Sequence, residues 1–181
     1  MSKISNKEAA LLGLLSEKSK HAYEIKLDIE SRSMDYWTEI SMSSVYKLLK
    51  KLEKRQIVKS ETKLSENNVA QKIYSLTKDG KKMFIAKLKE IASSWQPSIH
   101  PVDVALKNLN LLDHKDAVEC LEKYHKSLEE TIRGYSELEK YIIEKKGHLA
   151  NIQLATRRIY VLNGERKWLN KFIKEFKDEK K

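Results

Sequence analysis

A single cysteine, Cys120, stands in 181 residues, so no intramolecular disulfide braces the chain and a reducing compartment is expected. There are only two prolines, Pro97 and Pro101, and five glycines, a scarcity that argues for long uninterrupted helices with few turns. The glycines are scattered and form no phosphate-cradling loop. No apolar run approaches the length of a membrane span, and no signal-peptide pattern opens the sequence. A cytoplasmic protein that does not enter the membrane is the simplest expectation. Five histidines (His21, His100, His114, His125 and His148) have no second histidine or cysteine paired with them at i+3 or i+4, and Cys120 has no second thiol. Zinc needs about four ligands at compact spacing, and neither a metal site nor a clustered acid–base set is offered. No enzyme and no cofactor are therefore expected.

What the sequence does have is positive charge, unevenly placed. Residues 1–97 hold 19 Lys+Arg against 12 Asp+Glu, and residues 98–181 hold 17 against 14. The net +10 thus sits mainly in the first half, which suits nucleic acid and, less well, an acidic membrane surface.

The excess concentrates in Ser41 to Gln56. At helical pitch Val45, Leu48, Leu49 and Leu52 form one apolar stripe. Ser43, Lys47, Lys50 and Lys54 fall on the opposite face, with Tyr46 and Lys51 on its shoulders. Any soluble helix has a charged solvated face, but this one sets four lysines and Arg55 against Glu53 alone. A surface of hydroxyls, one aromatic and a ladder of lysines fits a DNA major groove, where side chains reach base edges and phosphates together.

Around it the elements follow in order. Ser5 with Glu8 three residues on is a capping-box pattern, opening a helix apolar on most sides through Ala9, Ala10, Leu12, Leu14 and Leu15. Glu17 to Lys20 reads as a polar turn. His21 opens a second helix to about Arg32, with stripe Ala22, Ile25, Ile29 and with Tyr23 and Lys26 on its flank. Ser41 is the expected N-cap of the central helix. Val58 to Leu64 alternates as a half-exposed strand, Ser65 to Ala70 is loop-like, and Gln71 to Leu76 reads as the return strand. Three helices and a two-stranded hairpin in that order make a winged helix-turn-helix. Thr77 should cap a linking helix with Phe84, Leu88, Ile91 and Trp95 on one face, and Pro97 to Pro101 is a linker. The expected domains are therefore 1–97, winged helix-turn-helix with linking helix, and 98–181, a helical region.

In that second region Ala117, Leu121, Tyr124, Leu128, Thr131, Tyr135, Leu138 and Ile142 alternate at spacings of four and three. After Gly147, Ile152, Ala155, Ile159, Leu162, Arg166, Leu169, Ile173 and Phe176 do the same. Two such seams joined by a glycine turn read as an antiparallel helical hairpin. Cys120 lies between seam positions and reads as packing. Apolar surface left over calls for a second copy of the chain.

Several runs resemble the PadR family of bacterial transcriptional regulators. They are His21-Ala22-Tyr23-Glu24-Ile25, Trp37, Ser43-Ser44-Val45-Tyr46-Lys47-Leu48-Leu49-Lys50-Lys51-Leu52-Glu53 and Tyr74-Ser75-Leu76-Thr77-Lys78-Asp79-Gly80, with Gly164-Glu165 and Trp168-Leu169 further on. The resemblance implies a homodimer joined through its C-terminal helices, with two winged domains reading a palindrome, as a ligand-responsive repressor. It implies DNA contacts from Tyr23, Ser43, Ser44, Tyr46 and Lys47. Lys26, Ser41, Lys50, Lys51 and Lys54 extend that surface. The family's basic wing tip corresponds to Asn68-Val69-Ala70-Gln71, which has no arginine, so the wing offers only Lys63 and Lys72 at its base. Trp95 and Trp168 read first as core, and stacking of a small planar aromatic effector on either is the alternative. The rival function is a winged module that docks protein and binds no DNA; its docking face should be more apolar and less uniformly charged.

Overall fold

Helix α1 (Asn6–Glu17) begins at the capping box read from the sequence: the Ser5 N–H donates to Glu8 Oε2 at 2.8 Å and the Glu8 N–H to Ser5 Oγ at 3.2 Å. The computed structural model describes residues 3–179 apart from 33, 35, 36, 39, 65–67 and 69, and for Met42 only the backbone. Two compact units divide the chain, Met1–Pro97 and Ser98–Lys181.

In the first unit α1 is followed by β1 (Lys20–His21), α2 (Ala22–Ser31), a 3-10 turn (Met42–Ser44), α3 (Val45–Lys54), β2 (Val58–Leu64), β3 (Ala70–Leu76) and α4 (Lys78–Ser93). One apolar core takes Leu11, Leu12, Leu14 and Leu15 from α1, Ala22, Ile25 and Ile29 from α2, and Val45, Leu49 and Leu52 from α3. Ile57, Val58, Tyr74 and Phe84 close it from the sheet and α4.

The sheet has three strands where the sequence predicts two, in the order β1-β3-β2, all antiparallel. Lys20 pairs with Tyr74 and His21 with Ile73. A two-residue strand is too short to carry a period-2 signature, and its lysine looks like part of a turn. Yet Lys20 is only 1% exposed. Its ammonium is hydrogen-bonded to Asp28 and lies 3.3 Å from Glu17 Oε2, and Arg32 forks onto Glu17 at 2.5 and 2.8 Å. A buried ammonium is tolerable only when paired in this way.

Thr77 caps α4 as expected, accepting the Gly80 N–H at 2.9 Å while its own hydroxyl donates to the Gln56 carbonyl at 2.8 Å. A Cβ on Gly80 would sit 1.9 Å from the Ile57 carbonyl oxygen, so only glycine lets α4 start this close to the end of α3. Helix α4 stops at Ser93, short of Trp95. The hydroxyls of Ser93 and Ser94 both donate to the Glu90 carbonyl, at 3.3 and 2.7 Å, and Ser94 is extended, which is how serine competes with helix continuation. Phe84 is buried, Leu88 and Ile91 are exposed, and Trp95, 85% exposed, is not part of the helical face assigned to it from spacing.

The second unit contains α5 (Val102–Lys107), a 3-10 turn (Leu109–Leu111), α6 (His114–Glu144) and α7 (Leu149–Asp178). Helices α6 and α7 form the antiparallel hairpin, tied by Tyr124 Oη to Glu165 at 2.9 Å, by Lys177 to Glu122 at 2.5 Å and by Thr156 to Glu139. Ala117, Leu121, Leu128, Ala155 and Leu169 are buried along the seam, whereas Thr131 and Leu138 are exposed. Cys120 is exposed rather than packed. The turn is a Schellman motif in which Lys146, not the glycine, is left-handed (φ 53°). The Gly147 N–H reaches the Ile142 carbonyl at 2.9 Å, and a Cβ there would meet Ile142 Cγ2 at 2.5 Å. Among the described residues no helix is long and apolar enough to cross a membrane.

The Glu17 carboxyl is held at about 2 instead of 4.5, first by the hydrogen bond from Arg32, against a smaller opposing effect of burial. A depressed carboxylate pKa stabilises the fold above the ordinary value and loses that contribution as pH falls towards the depressed one. Thermal stability should therefore drop from about pH 5 towards pH 2, and Glu17→Gln should flatten that acid limb; identical limbs in both proteins would refute the assignment.

Candidate nucleic-acid interface

The approach to α3 is built from serines. Ser41 precedes the 3-10 turn, but Ser44 makes the reciprocal cap: its hydroxyl donates to the Ser41 carbonyl at 2.7 Å and accepts the Ser41 N–H at 3.2 Å. Ser44 is half-buried by this task, while Ser41 and Ser43 are exposed with their hydroxyls 3.2 Å apart.

Helix α3 then separates cleanly into two faces. Val45, Leu49 and Leu52 are buried, and Leu48 packs against the same core. Tyr46 is 58% exposed, and Lys47, Lys50 and Lys54 are exposed with no ion-pair partner among the described residues. At 1.5 Å rise per residue these three ammonium stems leave the axis within about 11 Å of one another. Unpaired and of one sign, they can neutralise phosphates.

The other basic side chains of the helix are engaged. Lys51 Nζ lies 3.0 Å and Arg55 Nη1 2.8 Å from Glu8 Oε1. Glu8 is 0% exposed. Burial pushes its carboxyl up, but the Ser5 N–H, Lys51 and Arg55 together bring it below the usual carboxylate range. Lys72, at the wing base, lies 2.8 Å from Glu53 Oε2 and 5.4 Å above the Tyr74 ring. Glu53 Oε1 accepts the Ser60 hydroxyl at 2.5 Å. Lys63 is loosely placed, 3.9 Å from Glu61.

Tyr23 is as exposed as Tyr46 and stacks on the His21 ring, centroids 6.3 Å apart and planes 11° off parallel. Lys26, one turn on, is half-buried. Of the arginine-free wing tip, Asn68 is left-handed (φ 57°) and Ala70 exposed, while Val69 lies outside the described residues. Trp168, in the second unit, stacks on Phe172 at 5.6 Å, whereas Trp95 has no ring partner among the described residues. Sequence reading missed the engagement of Lys51, Arg55 and Lys72. The one available signal was the lone acid on a basic helix, Glu53. Among the described residues no three His, Cys, Asp or Glu could share a metal ion.

Residues 11–86, which contain α3 and the wing, match the model of the transcriptional regulator PadR-like family. No curated protein sequence matches the chain. Solved structures share its fold along nearly the whole length. Bacillus subtilis PadR in complex with operator DNA is 16% identical with a TM-score of 0.77, covering 93% of this chain and 98% of that one. The same protein with p-coumaric acid aligns at 17% identity and TM-score 0.76, over 96% and 99%. The Vibrio cholerae virulence activator AphA aligns at 18% and 0.69, over 95% and 98%. The likeness at these identities is one of fold, and it spans both the winged unit and the helical hairpin.

The two faces of α3 should respond oppositely to truncation in the winged unit. Leu49→Ala should cost about 2–5 kcal/mol, and Lys50→Ala, its neighbour on the outer face, should leave the melting temperature within a degree or two. Equal losses would put the helix phase wrong.

Proposed function

We propose that this protein is a DNA-binding transcriptional regulator that acts as a homodimer on a palindromic operator, as a repressor relieved by a small ligand. The observation that carries the reading is the row Lys47, Lys50 and Lys54, unpaired among the described residues, beside exposed Tyr46 and Ser43, on a helix whose opposite face packs into the core through Val45, Leu48, Leu49 and Leu52. The lysines hold the phosphates, and Tyr46 and Ser43 approach base edges. Ser41, Tyr23 and Lys26 extend the contact, and Lys63 adds a weak one from the wing. Lys51, tied to Glu8, and Ser44, spent on its cap, act mainly by fixing the helix. The uniformly charged outer face disfavours protein docking, since a protein-binding surface is depleted of charge at its centre.

Bacillus subtilis PadR, of like fold, has been solved with operator DNA and with p-coumaric acid. This supports the DNA reading and an effector that is a small planar aromatic. Trp168, already stacked on Phe172, is the better platform for it; Trp95 is exposed, with no neighbouring ring among the described residues. A second copy of the chain is called for by α7, where Leu154, Val161 and Trp168 recur seven apart and stay exposed beside the buried seam residues Ala155 and Leu169. Two-fold symmetry of such a dimer matches a palindromic site.

Two measurements test this. Changing Lys47, Lys50 and Lys54 to Ala together should flatten the slope of log affinity against log salt by about 2–3, at about 0.9 per phosphate neutralised. Binding to operator and random duplex should weaken alike; an unchanged slope would reduce α3 to a solvated face. Sedimentation at micromolar concentration should give twice the 21.2 kDa chain mass, and Val161→Glu should shift it to monomer. A wild-type monomer there would remove the palindrome argument.

A further inference from the structure

Glu53 is the only carboxylate between Ser41 and Arg55, and its two oxygens are used separately on the two strands of the wing. Oε1 takes the Ser60 hydroxyl from β2, and Oε2 takes the Lys72 ammonium from β3. Lys72 in turn lies over the Tyr74 ring, so its head is held from two sides. The pair is half-exposed, at the surface shared by the last turn of α3 and the base of the wing. A free lysine there would stand beside Lys47, Lys50 and Lys54 as one more phosphate ligand. Phosphate contacts add affinity for every duplex and carry no sequence information. A carboxylate that occupies that lysine therefore subtracts sequence-independent binding while leaving Tyr46 and Ser43 untouched.

We infer that Glu53 limits the sequence-independent affinity of the winged unit, withholding Lys72 from the DNA backbone by clamping it, with Ser60, to the end of α3. The inference rests on the DNA-binding reading above. The Glu53 carboxyl lies below and the Lys72 ammonium above their usual ranges, chiefly through their mutual hydrogen bond, in keeping with a standing pair.

The test is a salt titration of wild type, Glu53→Gln, Glu53→Gln/Lys72→Met and Glu53→Gln/Lys59→Met on an operator selected from a random pool and on a random duplex. Lys59 is an exposed β2 lysine, and its variant matches the charge of the Lys72 one. Glu53→Gln should steepen the random-duplex slope by about 0.9, so that about 3- to 4-fold more affinity is lost between 50 and 200 mM salt. The operator slope should steepen alike, so that the ratio of operator to random affinity stays unchanged. Adding Lys72→Met should restore the slope on both duplexes, and adding Lys59→Met should not. A merely structural Glu53 would lower the melting temperature and weaken both duplexes with no steeper slope, which overturns the inference. Equal restoration by the two lysine changes would overturn it too, since net charge alone would then explain the effect. If wild type binds no duplex, the DNA reading falls and this inference with it; if wild type binds and Glu53→Gln leaves the slope unchanged, only the inference falls.

Discussion

The geometry of the winged unit depends on one buried carboxylate. Glu8 sits in the first turn of α1, closed from solvent, and Lys51 and Arg55 of the α3 end converge on one of its oxygens while the Ser5 N–H takes the other. Such an arrangement is stable only when every partner is present, because an ionised group in a low dielectric has no substitute for its lost hydration. It therefore couples the start of the chain to the end of the central helix and fixes the rotation of α3 about its own axis. That rotation decides which lysines look outward. Leucine burial alone would allow some slack; a charge with fixed partners allows less.

The distribution of charge has two roles that sequence composition cannot separate. Of the basic groups on α3, Lys47, Lys50 and Lys54 are unpaired among the described residues, while Lys51 and Arg55 are structural. The wing repeats the pattern, with Lys72 engaged and Lys63 nearly unengaged. A count of lysines overstates the charge available to a polyanion; the ion pairs reduce it to a short row.

Legibility followed sequence distance. The α3 stripe, the Ser5–Glu8 box, the Thr77 cap and the seam of the hairpin are periodic or local, and each was readable because neighbours at i+3 and i+4 meet on a helix. The Glu8–Arg55 contact spans 47 residues and the Glu53–Lys72 contact 19, and nothing in the residues between them announces either. Strand β1 escaped because two residues hold no period, and buried Lys20 because burial of a lysine is decided by Glu17 and Asp28, which lie in two different helices. Trp95 was placed on α4 by spacing alone, but the hydroxyls of Ser93 and Ser94 ended the helix first. At the hairpin the glycine marks the turn in the sequence, but its task shows only in the fold: Lys146 takes the left-handed conformation, and Gly147 is needed for its closeness to Ile142.

The hairpin is unevenly filled. Its buried leucines, Leu121, Leu128 and Leu169, lie towards the start of α6 and the end of α7, together with Leu109. Towards the turn, Ala155 is the one fully buried side chain among the described residues, and Leu138, Tyr141, Leu149 and Leu154 are exposed. Helices of 31 and 30 residues are rods of about 45 Å, here welded at one end and held at the other chiefly by Thr156, Glu139 and the Schellman bonds. Opening free energy tracks local burial. The tip will breathe while the base stays shut, and amide protons near Gly147 will exchange with solvent long before those around Leu121.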